Sequence, residues 1–238
     1  MSGDNQGPLA TGGMSKKGTT TVVKVNEPEL DYLDKKVLCT AICKCKNTPG
    51  VGKDGRSLKQ VCVSAQLRAL DASLQHRSPY KPEINYDMTK SPPEPIMDST
   101  IETKGHDWLP GWLKKWWPED PEHPPFEPGR GMVKRPDVII VKDPTKPPTQ
   151  DNIKKVVEIK FPPDTVSREQ DADYRRIAGD ADMVELTPDK CDCDKMEPDK
   201  PKVPVDVEDI GTIGTILGML LTIFGRRPPR APTPVPAY

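Results

Sequence analysis

Three residues in the middle of this chain have types and spacing suited to chemistry: Asp137, Glu158 and Lys160. Asp137 opens the apolar run Val138-Ile139-Ile140-Val141, and Glu158 and Lys160 interrupt a second run, Val156-Val157-Ile159-Phe161. A buried strand has no use for acids unless something holds their charge. Both runs are rich in β-branched residues and bounded by proline, which predicts strands rather than helices. Side chains alternate along a strand, so Val157, Ile159 and Phe161 share one face and Glu158 and Lys160 the other. The apolar face packs on a core, and a carboxylate and an ammonium then point together into a cleft. Carboxylates there suit hard cations such as Mg2+ or Mn2+. A lysine beside them orients water or offsets negative charge. The competing reading is a plain charge pair on a solvent-facing side of a sheet.

The surrounding residues narrow the choice. Pro136-Asp137 followed by Glu158-Ile159-Lys160 resembles the PD-(D/E)xK signature of restriction-endonuclease-like nucleases. The continuation EIKFPPDTVSREQ, with Asp164, Ser167 and Gln170, resembles more narrowly the VRR-Nuc family, whose pattern runs E-V-K-G-P-x-D-x-x-S-x-x-Q. Phe161 stands where that family usually has glycine, which narrows the expected cleft. The resemblance covers residues 58–187 and is densest from Asp137 to Tyr174.

The resemblance implies an α/β fold: a restriction-endonuclease-like core, a mixed β-sheet flanked by helices, with disordered or Pro-rich extensions. It implies a metal-dependent DNA endonuclease that hydrolyses phosphodiester bonds. Asp137, Glu158, the backbone carbonyl of Ile159 and Glu83 are then the expected ligands of Mg2+ or Mn2+, with Asp87 as the alternative acid to Glu83. Lys160 orients the water and offsets phosphate charge, and Gln170 on the flanking helix positions Lys160, the water or the substrate. Candidate substrate contacts are Lys134, Arg135, Lys154, Lys155, Arg168 and Tyr174, against the plain alternative of solvated charge. By analogy the context is a bacterial type VI secretion effector, an interbacterial toxin with a cognate immunity protein, secreted without a cleaved signal peptide and acting in the target-cell cytoplasm. Otherwise the protein is cytoplasmic. The rivals are a structure-specific repair-type nuclease acting on branched rather than plain duplex DNA, and a non-catalytic toxin acting on a membrane or partner.

Composition bounds these readings. With 29 prolines and a mean hydropathy of -0.65, the 238 residues suit one domain with tails rather than a uniformly packed body. The net charge of -1 supplies no global field for a polyanion, so nucleic-acid binding has to come from a local patch. Residues 1–36 read as a flexible leader without an apolar signal segment, with a short strand at 19–25. Six cysteines follow C-x3-C-x-C and C-x-C spacings in addition to Cys62, which leave zinc, long-range disulfides and free thiols open.

The nuclease domain is expected over 37–190. Ser57 caps an amphipathic helix over Leu58–Gln75. Tyr80–Met88 alternates as a strand, with Glu83, Asn85 and Asp87 on its polar face. A Trp- and Pro-rich insertion at 91–131 holds Trp108, Trp112, Trp116 and Trp117 with two lysines, a stacking platform for bases, a core cover or a partner surface. Ser167 caps a second helix that stops at Gly179, and Met183–Leu186 fits a last strand. A polar linker follows at 191–209, then an apolar helical segment at 210–225 and a Pro-rich tail at 226–238. The uncharged run 210–224 is short of the ~20 residues a spanning helix needs, which leaves membrane contact or partner docking open.

Overall fold

The computed structural model describes residues 29–48 and 57–193. The first 28 residues of the leader with its expected strand, the greater part of the 191–209 linker, the apolar segment and the tail lie outside the described residues. Within them, no helix is long and apolar enough to cross a membrane.

The elements run α1 (Tyr32–Cys45), α2 (Leu58–Ser73), β1 (Tyr80–Pro82), β2 (Tyr86–Asp87), β3 (Glu94–Pro95), α3 (Leu109–Lys115), β4 (Val133–Lys134), β5 (Val138–Val141), β6 (Ile153–Ile159), α4 (Arg168–Ala178) and β7 (Asp182–Leu186). Four strands form the main sheet in the order β1-β5-β6-β7. β1 and β6 run antiparallel to β5, and β7 is parallel to β6. A parallel pair needs a crossover, and α4 supplies it. The fold is therefore a mixed sheet flanked by helices.

The two faces of the sheet follow the alternation of the sequence. Val138, Ile140, Val157, Ile159 and Phe161 pack with α1 and α2. Ile139, Val141 and Val156 pack on the opposite side with Tyr174 and Ile177 of α4 and Met183. A bulge slips the register between Ile140 and Val141, leaving Lys154 as the extra residue of β6. Its ammonium turns to Asp31, the N-cap of α1, and Asp34 in its first turn, at 2.7 and 2.8 Å.

The segment Tyr80–Met88 is not one strand. Glu83 takes φ 50°, and the chain passes from β1 in the main sheet to β2 in a small antiparallel sheet ordered β3-β2-β4. Pro82, which has no N–H for a ladder, closes β1. Asp87 consequently sits in a buried pocket, where its carboxylate meets His123 Nε2 at 2.6 Å and the Thr89 hydroxyl. His123 stacks on buried Trp117, centroids 4.1 Å apart, and pins the tryptophan insertion to the body. Of the four tryptophans, Trp108 and Trp116 are exposed.

All six cysteines are paired: Cys39–Cys191, Cys43–Cys193 and Cys45–Cys62. α1 crosses the boundary drawn at residue 36, and Cys191 and Cys193, placed at the head of a linker, are buried against it. The α2 helix ends at Ser73 rather than Gln75, because Gln75 and His76 both take positive φ.

Candidate active site

Asp137 precedes the first residue of β5, and Glu158 lies near the end of β6. Antiparallel pairing places Val138 opposite Val157, so the two acids stand at the same end of the sheet. Lys160 continues β6, its backbone N–H donating to the Leu186 carbonyl at 3.0 Å. The face that Glu158 and Lys160 share is covered by α4. Glu158 is 2% exposed and Lys160 7%, so they are not a solvent-facing charge pair.

The contacts converge on one carboxylate oxygen. Lys160 Nζ donates to Glu158 Oε1 at 2.6 Å, and Gln170 Nε2 donates to the same oxygen at 2.7 Å. Gln170 Oε1 accepts from Lys160 Nζ at 3.3 Å, which closes the triangle. Glu158 Oε2 has no hydrogen-bond partner, one of two such buried side-chain atoms among the described residues. A buried anionic oxygen without a donor costs on the order of 1–3 kcal/mol or more, so this oxygen fits the role of a cation ligand.

α4 holds Gln170 by local means. Ser167 Oγ accepts from the Gln170 N–H at 3.1 Å, an N-cap. One turn on, Tyr174 reaches Gln170 at 3.2 Å and donates its hydroxyl to the Arg135 carbonyl at 2.9 Å. Burial, and then the negative charge of Glu158, push the Tyr174 hydroxyl well above the usual phenol range, so it stays a donor.

Asp137 Oδ2 accepts from the Ile159 N–H at 2.8 Å. Burial and then the facing Glu158 carboxylate raise the Asp137 pKa to about 7, with Glu83 adding to the repulsion and Lys160 opposing it. Two acids brought together this way repel until a cation joins them. Glu83 donates its backbone N–H to the Asp137 carbonyl at 3.0 Å, while its carboxylate faces Arg68 and Arg135, the latter at 3.5 Å. Among the described residues no cluster of three or more His, Cys, Asp or Glu side chains gathers. The anionic set is therefore Asp137 and Glu158, with the main-chain oxygen of Ile159 beside them. That suits Mg2+, which takes one or two carboxylates and completes its shell with water and substrate phosphate.

The other expected contacts divide. Arg135 and Tyr174 reach the site. Lys134 lies at its rim, paired to Asp173 at 2.6 Å, and Arg168 is exposed at the start of α4. Lys154 is committed to α1, and Lys155 pairs with Asp182 at the far end of β6. Asp164 of the motif is exposed, its backbone N–H closing a turn on the Phe161 carbonyl. One neighbour is not evident in the sequence: Gln60 of α2 donates to the Ile159 carbonyl at 3.2 Å. Its signal is the polar stripe Gln60 and Ser64, one helical turn apart, beside the apolar stripe of α2.

The VRR-NUC domain family matches residues 68–186, half of the chain. The chain belongs to this family. Membership implies a nuclease with DNA as its substrate, and the VRR-NUC match takes in β1 through β7, with Asp137, Glu158, Lys160 and Gln170 all inside it. Nothing matches the chain among curated proteins or solved structures.

Proposed function

We propose that this VRR-NUC protein is a metal-dependent DNA endonuclease that cuts at the site built from Asp137, Glu158 and Lys160. The observation that carries the reading is the bare Oε2 of Glu158. Its partner oxygen is saturated by Lys160 and Gln170, so the second oxygen stays buried with no donor of its own, on the carboxylate whose charge helps raise the Asp137 pKa. Asp137, Glu158 and the Ile159 carbonyl are the residues that would hold Mg2+ or Mn2+. When bound, the cation polarises the scissile phosphate and acidifies a water.

The chain's own residues supply the rest. Asp137 has to give up its proton to act as a ligand. Lys160 sets its Nζ beside the reacting phosphate, where it offsets charge and orients the attacking water. Gln170 holds both Lys160 and Glu158, and Tyr174 holds Gln170. These side chains are set before substrate arrives, which lowers the cost of ordering them in the transition state.

Three disulfides support a protein that spends time in an oxidising compartment, since such bonds form and persist there and are rare in the reducing cytosol. That favours an exported nuclease, an interbacterial toxin, over a housekeeping repair enzyme. The type VI route and an immunity protein belong to the same reading and rest on analogy alone.

The deciding experiment incubates supercoiled plasmid with the purified protein in Mg2+, Mn2+ or EDTA, beside Glu158→Ala and Lys160→Ala. Metal-dependent nicking is expected, with each variant slower by about 10²-fold or more. Cleavage that survives both substitutions, or none from the wild type in either metal, would refute the assignment.

A further inference from the structure

Ile159 supplies the main-chain oxygen of the proposed metal set, and its backbone is held unlike the rest of β6. Ile159 pairs with Leu186 of β7, and the Leu186 carbonyl takes the N–H of Lys160 at 3.0 Å. In such a parallel ladder the main-chain groups of residues 158 and 160 turn to β7, so those of Ile159 turn to the β5 side. The antiparallel register sets Val138 across from Val157, and continuing it places Pro136 across from Ile159. Proline has no N–H, so the ladder offers no donor to the Ile159 carbonyl. β5 begins only at Val138, and both main-chain groups of Ile159 find side chains instead. Its N–H donates to Asp137 Oδ2 at 2.8 Å, and its carbonyl accepts from Gln60 Nε2 at 3.2 Å.

Gln60 comes from the first turn of α2. Two residues on, Cys62 is joined to Cys45 of α1, which ties this end of α2 to the body. The space shared by Gln60, Ser64, Asp137 and Ile159 is about 10 Å3, room for a water and not for a nucleotide. On this side Gln60 therefore meets Ile159 and not DNA. A carbonyl oxygen has two lone pairs. With one taken by Gln60, the other keeps a fixed direction. The same peptide carries the N–H of Lys160, so Gln60 at one end and Leu186 at the other also hold the backbone from which Lys160 projects.

Resting on the nuclease reading above, we propose that Gln60 is a positioning residue for the metal site: its amide replaces the ladder donor that Pro136 lacks and aims the Ile159 carbonyl at the cation. An amide suits the task because it donates without charge. A lysine or arginine there would repel the cation, and a carboxylate has no proton to donate. Without Gln60 the peptide between Ile159 and Lys160 is held only at its N–H end. It can then tilt, which moves the ligand oxygen and Lys160 together.

The test uses the full chain and reads Mn2+ binding without DNA, from the electron paramagnetic resonance signal of the free ion, beside plasmid cleavage across a Mg2+ titration. Gln60→Met keeps the length of the side chain and removes the donor. It is expected to weaken Mn2+ binding by about 10- to 100-fold and to raise the Mg2+ midpoint of cleavage by a similar factor. Gln60→Glu also loses the donor but sets a carboxylate beside the same oxygen, and should bind Mn2+ more tightly than Gln60→Met. Far-UV circular dichroism and thermal melts verify that both variants fold. Wild-type Mn2+ affinity in Gln60→Met overturns the assignment, and so does equal weakening in both variants, which marks a packing defect. A wild type that binds Mn2+ and nicks plasmid while Gln60→Met matches it sinks the role of Gln60 alone. A wild type that binds no Mn2+ sinks the metal-dependent reading, and the role of Gln60 falls with it.

Discussion

Gln170 and Lys160 saturate the same oxygen of Glu158, and this leaves the other oxygen of that carboxylate bare in a buried position. Selective saturation fixes which way the carboxylate presents its ligand atom. A symmetric pair of weak contacts would let it rotate.

Gln170 should therefore matter through Glu158 and Lys160 rather than by touching substrate. Gln170→Ala is expected to lower metal affinity or cleavage rate by about 10- to 100-fold, the usual cost of removing a partner that orients a ligand. Single-turnover cleavage across a Mg2+ titration separates the two effects. Tyr174→Phe, which removes the two hydrogen bonds of the hydroxyl but leaves Gln170 on Glu158, should cost less. An unchanged Mg2+ midpoint and rate in Gln170→Ala would show that the triangle is incidental.

Asp137 sets a pH dependence. Its pKa is raised to about 7 in the folded, metal-free protein, against about 4 unfolded. The folded state thus holds this proton more tightly. Stability from this group is fully present below about pH 4 and is lost as the pH rises through about 7. Asp137→Asn removes the penalty while keeping an oxygen for the Ile159 N–H. The variant should be inactive yet gain several degrees in Tm at pH 8, since 1 kcal/mol shifts Tm by about 2–4 °C at this size, with little change at pH 4. Scanning calorimetry in EDTA at both pH values checks this. In the wild type, Mg2+ affinity should rise with pH up to about 7 and then level off.

The disulfides Cys39–Cys191 and Cys43–Cys193 act as a pair. They join the same two segments, with sequence separations of 152 and 150. Once one is closed, the other closes only a few further residues. Removing either alone should cost about 2 kcal/mol, whereas removing both opens a loop worth about 5 kcal/mol more. Denaturant melts of Cys39→Ala/Cys191→Ala, Cys43→Ala/Cys193→Ala and the quadruple variant report this. Additive losses would contradict it.

The sequence by itself determined the parts governed by local rules. Alternation placed Val157, Ile159 and Phe161 on one face of β6 and Glu158 and Lys160 on the other, because a strand repeats every two residues. Ser167 and Gly179 marked the ends of α4 through capping chemistry, while the place of Gln170 beside the acids came from the family resemblance. The tertiary structure decided whatever depends on distant segments meeting. Spacing left the cysteines between metal and disulfide; packing of α1 against residues 191–193 paired them. Lys154 read as a candidate phosphate contact until a bulge turned it to Asp34. Glu83 and Asp87 looked like neighbours on one strand face, but Glu83 is itself a left-handed turn residue after β1, and Asp87 falls in the small sheet. Periodicity is a property of adjacent residues, whereas bulges, positive φ and long-range pairing arise only when the whole core closes.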